Sequence, residues 1–139
     1  MTINHKILLS YIKDLSIETP DPESLLTARE NFSKYSLKVN ITPKALKRTI
    51  VEVDTKLTYS YDGKSKKSYF EMIYATVVDI KEQNLDKESL KKFLLCDLQI
   101  LIYPKVETTF VEILKLSGFP NVKLQGKIDF KKLYNQKLS

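Results

Sequence analysis

The chain is poor in the side chains that most enzymes and metal proteins use. It has one histidine, His5, and one cysteine, Cys96, among 139 residues. A structural zinc site needs several such ligands, and a Ser–His–Asp or Cys–His arrangement needs a base beside its nucleophile. The three glycines are too few and too scattered for a phosphate-binding loop. These scarcities predict that the protein is not an enzyme and holds neither a metal nor a cofactor.

Long apolar runs are also missing. The longest strongly apolar stretch, Phe93–Tyr103, contains Asp97 and Gln99 and is well short of the roughly 20 residues of a membrane-spanning helix. The N-terminus has no small-residue cleavage site after a long apolar region, and a lone cysteine forms no intramolecular disulfide. We therefore expect a cytoplasmic protein without direct membrane insertion. The length predicts one domain over residues 1–139.

The net charge of +6 comes from lysine, because 21 lysines accompany only two arginines. Arginine is the usual residue for bidentate contacts with phosphates and bases. The lysine excess is more typical of a solvated surface, and we expect no nucleic-acid partner. The charge and the eight tyrosines, which are able to stack on bases, nevertheless keep a basic nucleic-acid or protein interaction module as an alternative.

Apolar and polar residues alternate in four segments, which is the pattern of a β-strand with one buried face. The segments are Ile7–Ile17, Tyr35–Ile41, Val51–Tyr61 and Phe70–Ile80. Short polar connections, one of them with the turn pair Asp62-Gly63, favour antiparallel pairing. Residues 20–34 contain two prolines and predict a loop with one helical turn, and Pro43 is expected to interrupt the second strand.

The hydrophobic period changes after residue 85. Asp86 is placed to cap a helix whose apolar residues recur at intervals of three and four through Leu101. The pair Tyr103-Pro104 predicts a break or kink, after which the helix resumes and ends at Gly118. A short last helix begins near Asp129. The predicted fold is α+β, with a four-stranded antiparallel sheet followed by a long helix and a short C-terminal helix.

Apolar residues exceed what one small core uses. Alternation puts Tyr11 in the apolar row of the first strand but puts Ile12, Ile73 and Val77 on the polar face of the sheet. The long helix has a second apolar stripe that includes Ile100. Surplus apolar surface of this kind indicates either oligomerisation or a binding groove.

Several motifs occur in a fixed order along the chain. The most specific is Tyr11-Ile-Lys-Asp-Leu-Ser-Ile-Glu-Thr-Pro20, which fits the pattern Tyr-x-Lys-Asp-φ-Ser-φ-Glu-x-Pro, where φ is apolar. Further on come Ile100-Leu-Ile-Tyr-Pro104 in the long helix, Ser117-Gly-Phe-Pro120 at its end and Ile128-Asp129 before the last helix. Together they resemble SecB, the family of bacterial protein-export chaperones, over residues 7–135.

The resemblance to SecB implies an ATP-independent molecular chaperone. Such a protein holds unfolded preproteins in apolar grooves for export and hands them to the SecA motor. The resemblance also implies a homotetramer, a dimer of dimers with the long helices between the dimers. Five apolar residues form the expected client-binding set: Leu26, Phe32, Tyr35, Ile128 and Phe130.

The resemblance further implies a SecA-binding site on the open side of the sheet. Its expected residues are Asp14, Glu18, Tyr69 and Glu71. Alternation independently puts all four on the polar faces of the first and fourth strands, with Glu52 and Asp54 of the third strand beside them. These residues predict a locally acidic patch on a basic chain.

Two features depart from the familiar SecB pattern. Familiar members are acidic and have an acidic tail, whereas this chain is basic and its last residues, Gln136-Lys-Leu-Ser139, carry no side-chain carboxylate. The long helix reads Leu94-Leu-Cys-Asp-Leu-Gln where the family has a stretch rich in glycine and alanine. These departures keep a second alternative, a SecB-like chaperone dedicated to an antitoxin or another specific client.

Overall fold

The computed structural model describes residues 3–61, 68–124 and 128–138. The strands are β1 (His5–Glu18), β2 (Ser36–Lys47), β3 (Ile50–Ser60) and β4 (Tyr69–Ile80). The helices are α1 (Pro22–Glu30), α2 (Lys87–Lys92), α3 (Leu98–Leu116) and α4 (Phe130–Leu138), with a 3₁₀ turn at Phe32–Lys34 and a π-helical segment at Phe93–Asp97. The expected turn at Asp62-Gly63 lies outside the described residues.

The four strands form one antiparallel sheet in the order β1-β4-β3-β2. β1 and β2 are therefore the two edge strands, and the segment that contains α1 carries the chain from one edge to the other. A long helix and a short C-terminal helix follow the sheet. The fold class predicted from the sequence is confirmed, although α1 adds a helix between the first two strands.

One face of the sheet is covered by the π-helical segment and α3. β4 presents alternate residues to this helical layer, and Phe70 and Val78 among them are fully buried. Thr55 of β3, which lies opposite Tyr74, donates a hydrogen bond of 2.9 Å to the side-chain oxygen of Gln99 in α3. We call this side of the sheet the helix face and the opposite side the outer face.

β1 contains two β-bulges. Its pairing with β4 shifts between Ile7 and Leu9 and again between Ile12 and Asp14. Each shift leaves one residue of β1 without an opposite partner, so the residues that follow it exchange faces. The two exchanges cancel, and the strand is back in its original phase from Asp14 onward.

The bulges make simple alternation wrong in the middle of β1. Tyr11 lies opposite Ala75 on the outer face, although the sequence pattern puts it in the apolar row. Ile12 lies opposite Tyr74 on the helix face, although the same pattern puts it on the polar face. Side chains directly opposite each other in an antiparallel pair share a face, which is why the register decides these assignments.

The crossover between β1 and β2 is more helical than the sequence predicts. The Asp21 side chain accepts a hydrogen bond from the Ser24 amide at 2.7 Å, and Pro22 is the first helical residue. An N-cap followed by proline is a strong helix start. The expectation of one helical turn is therefore wrong, since α1 continues for nine residues.

Pro43 does not interrupt β2, which continues through it to Lys47. Proline has no N–H to contribute to a sheet ladder. Because β2 is an edge strand, its outward-facing amides have no ladder partner in any case, and proline is tolerated there. The expected interruption is wrong for this reason.

The long helix contains a π-helical segment before α3. Asp86 caps α2 as predicted, and it accepts a hydrogen bond from the Ser89 amide at 3.1 Å. α3 runs without a break through Pro104, so of the expected break or kink the break is wrong. Pro104 has no N–H to donate to the carbonyl of Ile100, four residues earlier. Both residues are exposed, so water is able to reach that carbonyl.

Candidate functional site

An aromatic cluster joins the crossover segment to the sheet and to the end of α3. The rings of Phe32 and Phe119 are stacked, with centroids 4.7 Å apart and planes 6° apart. Phe70 meets Phe119 edge-on at 5.1 Å, and Tyr59 meets Phe32 edge-on at 4.9 Å. Phe119, Phe70 and Tyr59 are buried, whereas Phe32 is half-buried. Phe32 is therefore the member of this cluster that solvent reaches.

A cavity of about 260 Å³ opens beside the stacked pair. Its lining residues are Arg29, Phe32, Phe119, Pro120, Asn121 and Val122. Four of these six residues are apolar, and the other two contribute one guanidinium and one amide. A cavity of this composition suits an apolar side chain, while its few polar groups suit the peptide units on either side of that chain.

The end of α3 holds the wall of this cavity in place. The Phe119 amide bonds to the Leu114 carbonyl at 3.1 Å and the Gly118 amide to the Lys115 carbonyl at 3.3 Å, which is the Schellman arrangement. Gly118 has a φ of 110°, and a Cβ at this position would lie 2.9 Å from Leu25 of α1. The prediction that Gly118 ends the helix is confirmed, and the missing side chain also lets α1 approach closely.

Arg29 of α1 ties the two walls of the cavity together. Its Nε and Nη2 atoms both donate to the carbonyl oxygen of Gly118, at 2.8 and 2.5 Å. The planar guanidinium presents these two donors in a fixed geometry. The separation between α1 and the end of α3 is therefore set by a side chain that itself lines the cavity.

A second cavity, of about 360 Å³, lies between α3 and the start of α4. It is lined by Ile100, Ile128, Asp129, Phe130 and Lys131. Ile100 is exposed, whereas Phe130 is buried with its ring 5.2 Å from that of Tyr103. The Asp129 side chain accepts a hydrogen bond from the Lys132 amide at 3.1 Å, which confirms that the last helix starts at this point.

The outer face of the sheet carries carboxylates along β1 and β4. The Tyr69 hydroxyl donates a hydrogen bond of 2.7 Å to Glu71, and Lys56 lies 3.3 Å from the same carboxylate. The Tyr69 bond, and then the Lys56 contact, lower the pKa of Glu71. The Glu71 side chain therefore keeps its negative charge to lower pH than a free carboxylate.

A second charged cluster, centred on Lys13, was missed by the sequence analysis. The Lys13 ammonium lies 2.7 Å from Glu52 and 3.0 Å from Asp54, so this edge-strand side chain reaches across β4 to β3. The Tyr11 hydroxyl also donates to Glu52, at 2.6 Å. The Lys13 bond, and then the Tyr11 bond, lower the pKa of Glu52, which is only 7% exposed. The one available signal was the placement of Glu52 and Asp54 on the polar face of β3.

Exposed large apolar side chains are most numerous on β1 and also occur on α3. On β1 they are Ile7, Leu8, Leu9, Tyr11, Ile12 and Leu15. On α3, Ile100 and Leu101 are exposed by 48% and 56%. The surplus of apolar residues seen in the sequence is therefore present as accessible surface on an edge strand and on the long helix.

Two further findings concern only the described residues. They contain no group of three or more His, Cys, Asp or Glu side chains placed to hold a metal ion. None of the helices within these ranges has the length and hydrophobicity of a membrane-spanning segment.

The family of the chain follows from comparison with known proteins. A family model described as "Preprotein translocase subunit SecB" matches residues 2–139. The chain belongs to the SecB family. It is 42% identical over 138 residues to the "Putative protein-export protein SecB" of Pelagibacter ubique (strain HTCC1062), with 99% of both chains covered. It is 26% identical over 137 residues to the "Protein-export protein SecB" of Rhodopseudomonas palustris (strain BisB18), with 95% of this chain and 79% of that one covered.

A solved structure shows the same SecB fold. It is a Mycobacterium tuberculosis SecB-like chaperone in complex with a ChAD peptide from the HigA1 antitoxin. The TM-score is 0.65 at 12% sequence identity, with 87% of this chain and 86% of that chain covered. At this identity the likeness concerns the fold alone.

The client-binding residues expected for a SecB protein lie in different surroundings. Leu26 is exposed on α1, and Phe32 lines the first cavity. Ile128 and Phe130 line the second cavity. Tyr35 is buried, and its hydroxyl donates to a backbone carbonyl at 2.9 Å. The structure therefore distributes the five residues over two cavities, an exposed helix face and the core beneath Phe32.

The SecA-binding residues expected for a SecB protein share one face of the sheet. The register puts Asp14, Glu18, Tyr69 and Glu71 on the outer face. Glu52 and Asp54 of β3 lie opposite Val77 and Ala75 of β4, so the prediction that they share this face is also confirmed. Asp14 and Glu18 keep the face that alternation predicts, because both bulges in β1 occur before Asp14 and their effects on the alternation cancel.

Proposed function

We propose that this SecB family protein is an ATP-independent chaperone that holds unfolded preproteins for export and hands them to SecA. The observation that carries the proposal is the cavity beside the half-buried Phe32, with the apolar rings of Phe32 and Phe119 in its lining, in a chain of this family. Unfolded chains expose apolar side chains, and burying such a side chain against Phe32 and Phe119 supplies free energy without a nucleotide. Leu26, on the same helix as the cavity-lining Arg29, adds an exposed apolar side chain to α1.

Replacing Leu26 and Phe32 by serine is expected to weaken client holding. The first change removes an exposed apolar side chain from α1 and the second removes a ring that lines the first cavity, so an unfolded client loses part of its proposed contact area. The measurement is light scattering from an aggregating, slowly folding client mixed with the protein in the absence of nucleotide. The matched control is Leu116→Ser, which removes an 87% exposed leucine at the end of α3 and should leave holding unchanged. Unchanged suppression by the double variant would show that clients bind elsewhere.

We also propose that residues 1–139 act as one domain and that four copies assemble in the cytoplasm as a dimer of dimers. The support is the accessible apolar surface on the edge strand β1 and on α3. Exposed apolar surface on this scale is typical of surfaces that associate. The mass measured by multi-angle light scattering should be that of a tetramer for the wild type and for the Leu26→Ser/Phe32→Ser variant, which also checks that the variant is assembled.

SecA is proposed to dock on the acidic part of the outer face. The double substitution Asp14→Lys/Glu71→Lys should reduce SecA binding, most visibly at low salt, because complementary charge mainly speeds association and is screened by ions. Client holding should be unchanged, since neither residue lines either of the two cavities described above. The control, Glu88→Lys/Glu112→Lys, changes the net charge equally on α2 and α3. Binding is measured by surface plasmon resonance at two salt concentrations, and equal losses in both variants would contradict the assignment.

A dedicated client is the second candidate function. The structural neighbour with a TM-score of 0.65 is a SecB-like chaperone that holds an antitoxin peptide. This chain also has a basic net charge of +6. Wild-type protein that holds clients but does not bind SecA even at low salt would favour a chaperone dedicated to an antitoxin or another specific client.

A further inference from the structure

β2 and its flanks form a strip of positive charge. Residues 31–51 contain Lys34, Lys38, Lys44, Lys47 and Arg48 but no aspartate or glutamate. None of these five cations forms an ion pair with any residue in the part of the chain that the structure describes. All five are exposed. The strip therefore keeps its full charge available to another molecule.

The two faces of β2 differ sharply in character. Lys38 and Lys44 lie opposite Thr58 and Glu52, which places both lysines on the outer face. Between the lysines, the outer face of the strand carries only short polar side chains. The helix face of the same strand carries Leu37, Val39, Ile41 and Ala45. An edge strand that is cationic on one side and apolar on the other fits an extended partner of matching alternation.

Lys44 acts on Glu52 through its charge, but the two form no ion-pair contact within the described residues. The two oxygens of Glu52 are already engaged by Lys13 and Tyr11, at 2.7 and 2.6 Å. The lysine opposite it therefore remains available for a carboxylate of a partner.

The spacing of the lysines also fits an extended chain. Lys38 and Lys44 are six residues apart, which corresponds to about 20 Å at 3.4 Å per residue of strand. Pro43 lacks an N–H, so a partner strand meets a gap in the free edge at that point. Side chains on the two faces, more than a continuous backbone ladder, would therefore determine which segments bind.

We propose that the free edge of β2 binds extended client segments in which acidic residues alternate with apolar ones. This proposal rests on the proposed chaperone function, and it adds that the client segments bound at β2 carry acidic residues. Carboxylates of the segment pair with the lysines on the outer face, while its apolar side chains turn toward the helix face. Segments with lysine or arginine in the same positions are repelled by the five cations.

Two peptides of equal length and equal apolar content test this directly. One has glutamate and the other lysine at every second position, and both carry a fluorescent label for anisotropy measurements. The wild-type protein should bind the glutamate peptide about tenfold more tightly at low salt, and the difference should shrink at high salt because ions screen surface charges. Equal affinities for the two peptides at low salt would overturn the proposal.

Variants locate the preference on β2. Lys38→Glu/Lys44→Glu should reverse the order of the two peptides, whereas Lys38→Gln/Lys44→Gln, which puts no like charge opposite Glu52, should abolish it. Lys87→Glu/Lys91→Glu on α2 changes the net charge as much as the first variant and should keep the wild-type preference. If the α2 control loses the preference for the glutamate peptide equally, the preference comes from net charge and the β2 site is overturned.

The outcomes also separate this inference from the proposed function. Protein that suppresses aggregation of a client but does not distinguish the peptides is still a chaperone, and only the charge selection on β2 is wrong. Protein that holds no client at all contradicts the proposed function itself.

Discussion

Phe119→Ala is expected to lower the free energy of unfolding by about 3–5 kcal/mol, the range for removing a fully packed aromatic side chain. Phe119 is 3% exposed, stacks on Phe32 and meets Phe70 edge-on. Its loss leaves a void between α1, the sheet and the end of α3 that the Arg29–Gly118 hydrogen bonds hold open. Urea denaturation followed by circular dichroism measures the change.

The control for this prediction lies three residues earlier in the chain. Leu116→Ala removes an apolar side chain that is 87% exposed, and it should change the free energy of unfolding by no more than about 0.5 kcal/mol. Phe119→Ala should also reduce client holding, because the same ring lines the first cavity. A loss of less than about 1 kcal/mol in this variant would contradict the packing described for the cluster.

Alkaline pH is expected to destabilise the protein steeply above about pH 10. Burial raises the pKa of Tyr35 to about 12, whereas a tyrosine in the unfolded chain ionises near pH 10. Below pH 10 Tyr35 is protonated in both the folded and the unfolded state, and its full contribution to the free energy of unfolding is present. Between pH 10 and pH 12 the unfolded state loses its proton first, so up to about 3 kcal/mol of stability is lost. Burial also raises the pKa values of Tyr59 and Tyr103, which adds to the effect.

Tyr35→Phe isolates the share of this one residue. The variant should be less stable at neutral pH by about 1 kcal/mol, because the backbone carbonyl that accepts from Tyr35 loses its partner. Its free energy of unfolding should nevertheless fall less steeply than that of the wild type between pH 10 and pH 12. The two curves come from urea titrations at a series of pH values, and parallel curves would mean that Tyr35 does not ionise differently in the two states.

The strands were predictable because apolar and polar residues alternate correctly wherever the pairing with the neighbouring strand has no bulge. β3 and β4 pair without a shift from Ile50 opposite Asp79 to Tyr59 opposite Phe70, so alternation assigns both faces correctly. In β1 the apolar residues are too evenly spread to reveal a bulge, and Tyr11 and Ile12 were consequently assigned to the wrong faces. A bulge is a property of pairing with the neighbouring strand, and one strand's own sequence does not encode it.

The candidate site was predictable only in its parts. The acidic residues of the outer face follow from alternation and from the SecB resemblance, and Phe32 was expected to contact clients. The partner of Phe32 in the stack, Phe119, was assigned only to a turn after the long helix. The Lys13 cluster was missed because the residues that it joins lie on β1 and β3, which are separated in the sheet by β4. Such contacts depend on strand order, which local patterns leave open.

The Arg29–Gly118 junction also sets when the cavity exists during synthesis. The two residues are 89 positions apart, so at ribosomal rates of about 5–20 residues per second roughly 4–18 seconds pass between their appearances. Throughout that interval α1 and Phe32 have emerged without the wall that Phe119 provides. The nascent chain thus displays an apolar segment before it is able to enclose one. During those seconds the nascent chain exposes apolar side chains as an unfolded client does, and folded copies of the same protein are suited to bind it.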